Sequence, residues 1–112
     1  MTNQTSFQSL VDQTKKIAAQ FPHHYTKQNR MLDTVEEVGE LAQAILMVEK
    51  IKTSNDPAKQ RTVDDIADAL CDVLYNLILL SRDYNIDYAT EYQSMLTRLQ
   101  SRLDKGEFGR KK

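Results

Sequence analysis

The chain has 112 residues and a mass of 12.9 kDa, which is one domain with a modest core, short enough that self-association would help it bury apolar surface. A net charge of −1 and a pI near 6.1 exclude the basic footprint of a protein that binds nucleic acid polymers, and the single cysteine, Cys71, excludes an internal disulfide or a cysteine-built metal cage. With 40% hydrophobic and 28% charged residues, no apolar run near the roughly 20 residues of a membrane span and no signal-peptide pattern in Met1-Thr2-Asn3-Gln4-Thr5, the expectation is a cytoplasmic protein without a membrane partner.

Ser6 is placed to cap a first helix through Phe7, Leu10, Val11, Ile17 and Ala18, ending near residue 20 because Pro22 restricts the residue before it. His23 and His24 follow in a loop, and without a third histidine or a second cysteine they read as ordinary surface residues rather than a zinc site. From about Gln28 to Lys52, Met31, Val35, Val38, Leu41, Ala42, Ile45, Leu46 and Val48 recur mostly three or four apart, which predicts a long amphipathic helix. Gly39 interrupts it at a cost of about 1 kcal/mol relative to alanine, so it is expected to admit either a phosphate or a closely packed helix. Thr53-Ser54-Asn55-Asp56-Pro57 is a turn in which Asp56 caps and Pro57 opens a new helical turn. Thr62 and Asp65 resemble a capping box, opening a third helix that runs to about Asp83, with Asn85 suited to the left-handed residue that ends it. Asp87 caps a fourth helix bearing Tyr88, Tyr92, Met95, Leu96, Leu99 and Leu103. The expected fold is therefore all-α, a four-helix bundle over residues 1–104, completed by oligomerisation and followed by a flexible tail over residues 105–112.

Two of these helices carry acidic patches. Glu36, Glu37 and Glu40 are spaced to share a face of the second helix, and Asp65, Asp68 and Asp72 share a stripe of the third, continued by Tyr75 and Asn76. Ile66, Leu70, Leu74 and Leu77 fall on the opposite side and read as the core face. Like charges at these spacings cost a helix about 0.2–0.5 kcal/mol each, and Arg61 is the one local cation, four before Asp65. Converging carboxylates without histidine or cysteine ligands favour Mg²⁺ or Mn²⁺, and such a site would bind a di- or triphosphate through the metal. A di-iron bundle would need Glu-x-x-His pairs, which this sequence lacks.

The run Glu36-Glu37-Val38-Gly39-Glu40-Leu41-Ala42, then Asp65-Ile66-Ala67-Asp68, then Asp72-Val73-Leu74-Tyr75-Asn76-Leu77, resembles the MazG-like all-α nucleotide pyrophosphohydrolases, whose pattern is E-E-x-x-E, a variable spacer and E-x-x-D. The resemblance implies a Mg²⁺-dependent enzyme, a homodimer or homotetramer, that splits a nucleoside triphosphate into the monophosphate and pyrophosphate. It implies Glu37, Glu40 and Asp68 as metal ligands, with Glu36 and Glu37 the candidates for handling the proton. Asp65 stands where glutamate is usual, and the stretch closest to the family's helix begins at Asp72, three after Ala69, so Asp65, Asp68 and Asp72 all remain candidate ligands. Lys27 and Arg61, with Arg30, Lys50 and Lys52, are candidates for phosphate, and Tyr75 and Asn76 for the base. The same segments also resemble phosphoribosyl-ATP pyrophosphohydrolase, and a non-catalytic helical interaction module is the alternative of a different class.

Overall fold

The computed structural model describes residues 6–109 as four helices: α1 (Phe7–Ala18), α2 (Lys27–Val48), α3 (Val63–Asp83) and α4 (Tyr88–Asp104). Among the described residues there is no strand, so the chain is all-α as expected. A short 3₁₀ turn, Pro57–Lys59, sits in the connection between α2 and α3. The expectations placed on residues 1–5 and 110–112 lie outside the described residues.

The helix starts are set by local side-chain caps. Ser6 Oγ accepts from the Ser9 N–H at 3.1 Å, Thr26 Oγ1 from Asn29 at 3.1 Å and Asp87 Oδ1 from Thr90 at 3.2 Å, each satisfying a donor the first helical turn leaves free. At α3 the Thr62 N–H donates to the Asp65 carboxylate at 2.7 Å, the reciprocal half of a capping box. Asn85 takes the left-handed conformation at φ 56° after α3. The end of α2 differs from the expectation of Lys52. The helix stops at Val48 because Lys50 turns left-handed at φ 57°, and Ile51 and Lys52 both donate their N–H groups to the Leu46 carbonyl. That wrap folds the following loop back over the end of α2.

α2 packs principally on α3, α1 packs on α3, and α4 has its main contact with α1. The core is small: Val11 and Ala18 from α1, Ala44 from α2, and Ala69, Ile78 and Leu79 from α3. Phe7 closes its outer end, edge-on to Tyr88 at 5.6 Å and Tyr92 at 6.3 Å. Ala44 and Ala69 have small side chains, so α2 and α3 can approach closely at their level.

The face of α3 buried in the chain is not the one expected. Leu70 and Leu74 are 54% and 39% exposed, while Ala69 and Asn76 are buried against α2. Helical periodicity locates an apolar stripe but does not say which molecule covers it. On α2 the same holds, with Met31, Val35 and Val38 about half exposed and Arg30, Thr34 and Ala44 buried. The radius of gyration is 18.0 Å, against about 13 Å for a self-contained domain of this length, so the single chain leaves much of its apolar surface open. Gly39 does not serve close helix packing within the chain, because a side chain there would meet nothing within 4 Å. Residues 105–108 turn back on α4, with Arg102 paired to Glu107 at 3.0 Å and lying over the Phe108 ring at 4.5 Å.

Candidate active site

At the level of the two core alanines a cleft of about 380 Å³ lies between α2 and α3. Glu40 and Gln43 form its α2 wall, Asp65, Asp68 and Asp72 its α3 wall, Ala44 and Ala69 contribute to its lining, and Arg61 stands at its end. One turn of α2 earlier lies Glu37, half-buried, with Oε2 shielded from solvent and without a hydrogen-bond partner. Burial pushes the Glu37 carboxyl above its ordinary range, and the charges of Glu40, Asp72 and Asp33 push it further. Glu37, Glu40 and Asp72 thus form one electrostatic group across the two helices.

Four sequence-predicted ligands, Glu40, Asp65, Asp68 and Asp72, share this cleft, with Glu37 coupled to it through Glu40 and Asp72. Among the described residues no three carboxylates, histidines or cysteines are gathered closely enough to hold a metal ion as they stand. The Asp65 Oδ2 atom is also engaged by the Thr62 N–H at 2.7 Å and the Thr62 hydroxyl at 3.3 Å, which ties this carboxylate to the helix start. Glu36 is exposed on α2 beside the cleft rather than in its wall. The donor chemistry still suits a hard divalent cation, since every acidic group is an oxygen ligand and one buried oxygen lacks any partner. Glu37, Glu40, Asp68 and Asp72 are the residues that fit it.

A second cavity of about 280 Å³ lies toward the start of α2, with Tyr75 in its wall three residues along α3 from Asp72 of the cleft. Phe21, Tyr25 and Tyr75 give it aromatic walls, and His23, His24, Arg30, Asp33 and Arg82 give it polar ones. Tyr75 therefore lies at the groove as expected. Asn76 is buried beneath it, accepting from Arg30 Nη1 at 3.3 Å and donating to the Asp72 carbonyl at 3.3 Å, so its amide links α3 to α2. Arg30 also lies over the Tyr25 ring at 4.8 Å and 3.9 Å from Asp83. Lys27 is directed elsewhere, with its ammonium 4.6 Å from the centre of the Tyr84 ring. Arg61 is at the cleft but forms no ion pair with Asp65.

Sequence reasoning passed over Asp33 and Gln43 at this groove. Asp33 is four residues before Glu37, and Gln43 three after Glu40, the spacings that put side chains on one helical face. Both signals were present in the motif's own periodicity.

An all-α chain whose two longest helices hold a carboxylate-walled groove between them has the donor set for a hard divalent cation and the phosphates such a cation binds. This chain belongs to the MazG nucleotide pyrophosphohydrolase domain family, whose description its sequence matches over residues 25–106. The matched span includes the whole of α2, α3 and α4 and every residue of the carboxylate cleft. Among curated proteins none matches the chain. No described helix is long and apolar enough to cross a membrane.

Proposed function

We propose that this nucleotide pyrophosphohydrolase acts on nucleoside triphosphates in the presence of Mg²⁺, releasing the nucleoside monophosphate and pyrophosphate. The observation that carries the reading is Glu37, a carboxylate with one buried, unpartnered oxygen set among Glu40, Asp72 and Asp33 beside an open cleft. An acid held in that company is costly for the folded chain, and a bound divalent cation with phosphate oxygens is the partner that would offset it.

Bound there, Mg²⁺ would neutralise phosphate charge and acidify a coordinated water. Glu37, Glu40, Asp68 and Asp72 would hold it, and Asp72 is the α3 carboxylate whose charge acts on Glu37, after that of Glu40. Water adds its oxygen to the α-phosphorus, the bond from that phosphorus to the α,β-bridging oxygen breaks, and pyrophosphate leaves with the bridging oxygen. A carboxylate must take the water's proton; Glu37 and the neighbouring exposed Glu36 are the two candidates for that role. Tyr25, Tyr75 and Phe21 offer faces for stacking a base, while Arg30 and Asp33 supply opposite charges at the same cavity. Asn76 acts by positioning Arg30.

The half-exposed apolar stripes of α2 and α3 support assembly as a homodimer or homotetramer, which would cover Leu70, Leu74, Val35 and Val38. A screen of standard and modified nucleoside triphosphates, with phosphoribosyl-ATP included, tests the reading. Stoichiometric monophosphate and pyrophosphate, dependent on Mg²⁺, is the expected outcome. Release of orthophosphate instead would point to attack at a different phosphorus.

A further inference from the structure

The loop between α2 and α3 encloses a pocket of about 250 Å³ that lies directly beyond the carboxylate cleft, and the two share Gln43 and Arg61. Its polar character is opposite to the cleft's. Lys52, Lys59 and Arg61 line it together with Thr53 and Ser54, and no carboxylate does. None of the three cations is in an ion pair among the described residues. The Lys52 ammonium donates to Gln43 Oε1 at 3.1 Å, which fixes this charge on the boundary between the two cavities. Arg61 Nη1 donates to the Gln60 carbonyl at 3.1 Å and the Ala58 carbonyl at 3.4 Å, leaving its other nitrogens available.

The loop carrying these groups is stapled in place. Ser54 Oγ accepts from the Asp56 N–H at 3.1 Å, Asp56 Oδ1 accepts from Ala58 at 3.0 Å, and the Gln60 amide donates to the Ser54 carbonyl at 2.7 Å. Asp56, the acidic residue of this loop, is thereby occupied with capping the 3₁₀ turn that presents Lys59. Three cations held without counter-ions, next to a cleft with four carboxylates, form a site for an anion whose other part is held through a cation in that cleft.

We propose that this pocket is a socket for the two terminal phosphates of the nucleotide, so that Lys52 and Lys59 select triphosphates and hold the departing pyrophosphate. The proposal rests on reading the carboxylate cleft as the nucleotide site and adds a direction to it. The base lies toward Tyr75 and Arg30, the α-phosphate lies at the carboxylates, and the β- and γ-phosphates extend past Gln43 into the loop.

The test is calorimetric titration of inorganic pyrophosphate, and separately of a nucleoside monophosphate, into the wild-type chain and the Lys52→Ala/Lys59→Ala variant. Both lysines are exposed, so the variant should fold, and Lys52→Arg/Lys59→Arg preserves the charge as a control. Loss of two charge-assisted contacts is expected to weaken pyrophosphate binding by roughly tenfold or more, with the arginine variant close to wild type and monophosphate affinity unchanged. Equal pyrophosphate affinity in wild type and the alanine variant, or an equal loss of monophosphate affinity, would overturn the socket. Failure of the wild-type chain to hydrolyse any nucleotide would instead count against the catalytic reading, and pyrophosphate binding would still decide the socket.

Discussion

Arg30 on α2 and Asn76 on α3, separated by 46 positions in sequence, meet in the interior through a 3.3 Å hydrogen bond from Nη1 to Oδ1. Both are buried, and the Arg30 Nε atom has no hydrogen-bond partner of its own. Removing the amide would leave a buried guanidinium with less to hold it. Asn76→Ala is expected to lower stability by about 1–3 kcal/mol, read as a shift in the denaturant midpoint, and to weaken nucleotide binding through the displaced Arg30. An unchanged midpoint would show that the bond contributes nothing.

Glu37 should make stability depend on pH in a definite sense. Its folded-state pKa is raised, first by burial and then by Glu40, Asp72 and Asp33, so the folded chain binds this proton more tightly than the unfolded chain does. The resulting stabilisation is fully present below the ordinary glutamate pKa and is lost as pH rises through the raised value. Glu37→Gln, which cannot ionise, should therefore raise the metal-free melting temperature at neutral pH, with the advantage disappearing under acid conditions where Glu37 is protonated. A lower melting temperature for the variant at neutral pH would contradict this assignment of the strain.

Asp68 and Asp72 both line the cleft, but only Asp72 is among the charges that raise the Glu37 pKa. The motif spacing favours Asp68 as the principal ligand of α3; from the coupling of Asp72 to Glu37 we propose the opposite weighting. Asp72→Asn should leave little activity at any Mg²⁺ concentration, whereas Asp68→Asn should recover in excess Mg²⁺ or Mn²⁺ as a weakened secondary ligand does. Rescue of Asp72→Asn together with an inactive Asp68→Asn would restore the order implied by the motif.

The apolar flank of α3 gives a separate expectation. Leu74→Glu places a charge on a side chain that is 39% exposed in the single chain, so it should fold normally yet shift the sedimentation profile from an oligomer toward monomer. A monomeric wild-type protein with full activity would contradict assembly through this face.

The helix limits that depend on residues within four positions of each other were legible in the sequence. Ser6, Asp56, Asp87 and Asn85 act as their side-chain chemistry predicts. The end of α2 was not, because the left-handed turn falls on Lys50, a residue type that gives no signal for it. Likewise the acidic motifs located the two walls of the cleft, while the core assignment of Leu70 and Leu74 failed because amphipathicity does not identify the covering surface. The Arg30–Asn76 contact and the convergence of Lys52, Lys59 and Arg61 required the tertiary arrangement of α2, its loop and α3.

Glu40 stands on the α2 wall facing the three aspartates, and its replacement by glutamine keeps the shape while removing a ligand charge. Pyrophosphate release from nucleoside triphosphates by wild type and Glu40→Gln, with Mg²⁺ present and absent, is the most direct measurement of the central claim. The wild type should release pyrophosphate only with the cation, and Glu40→Gln, still folded, should lose more than about a hundredfold of that rate, the upper end of the cost of losing even an outer partner of a ligand. Wild-type turnover in Glu40→Gln, or release independent of any divalent cation, would contradict the account.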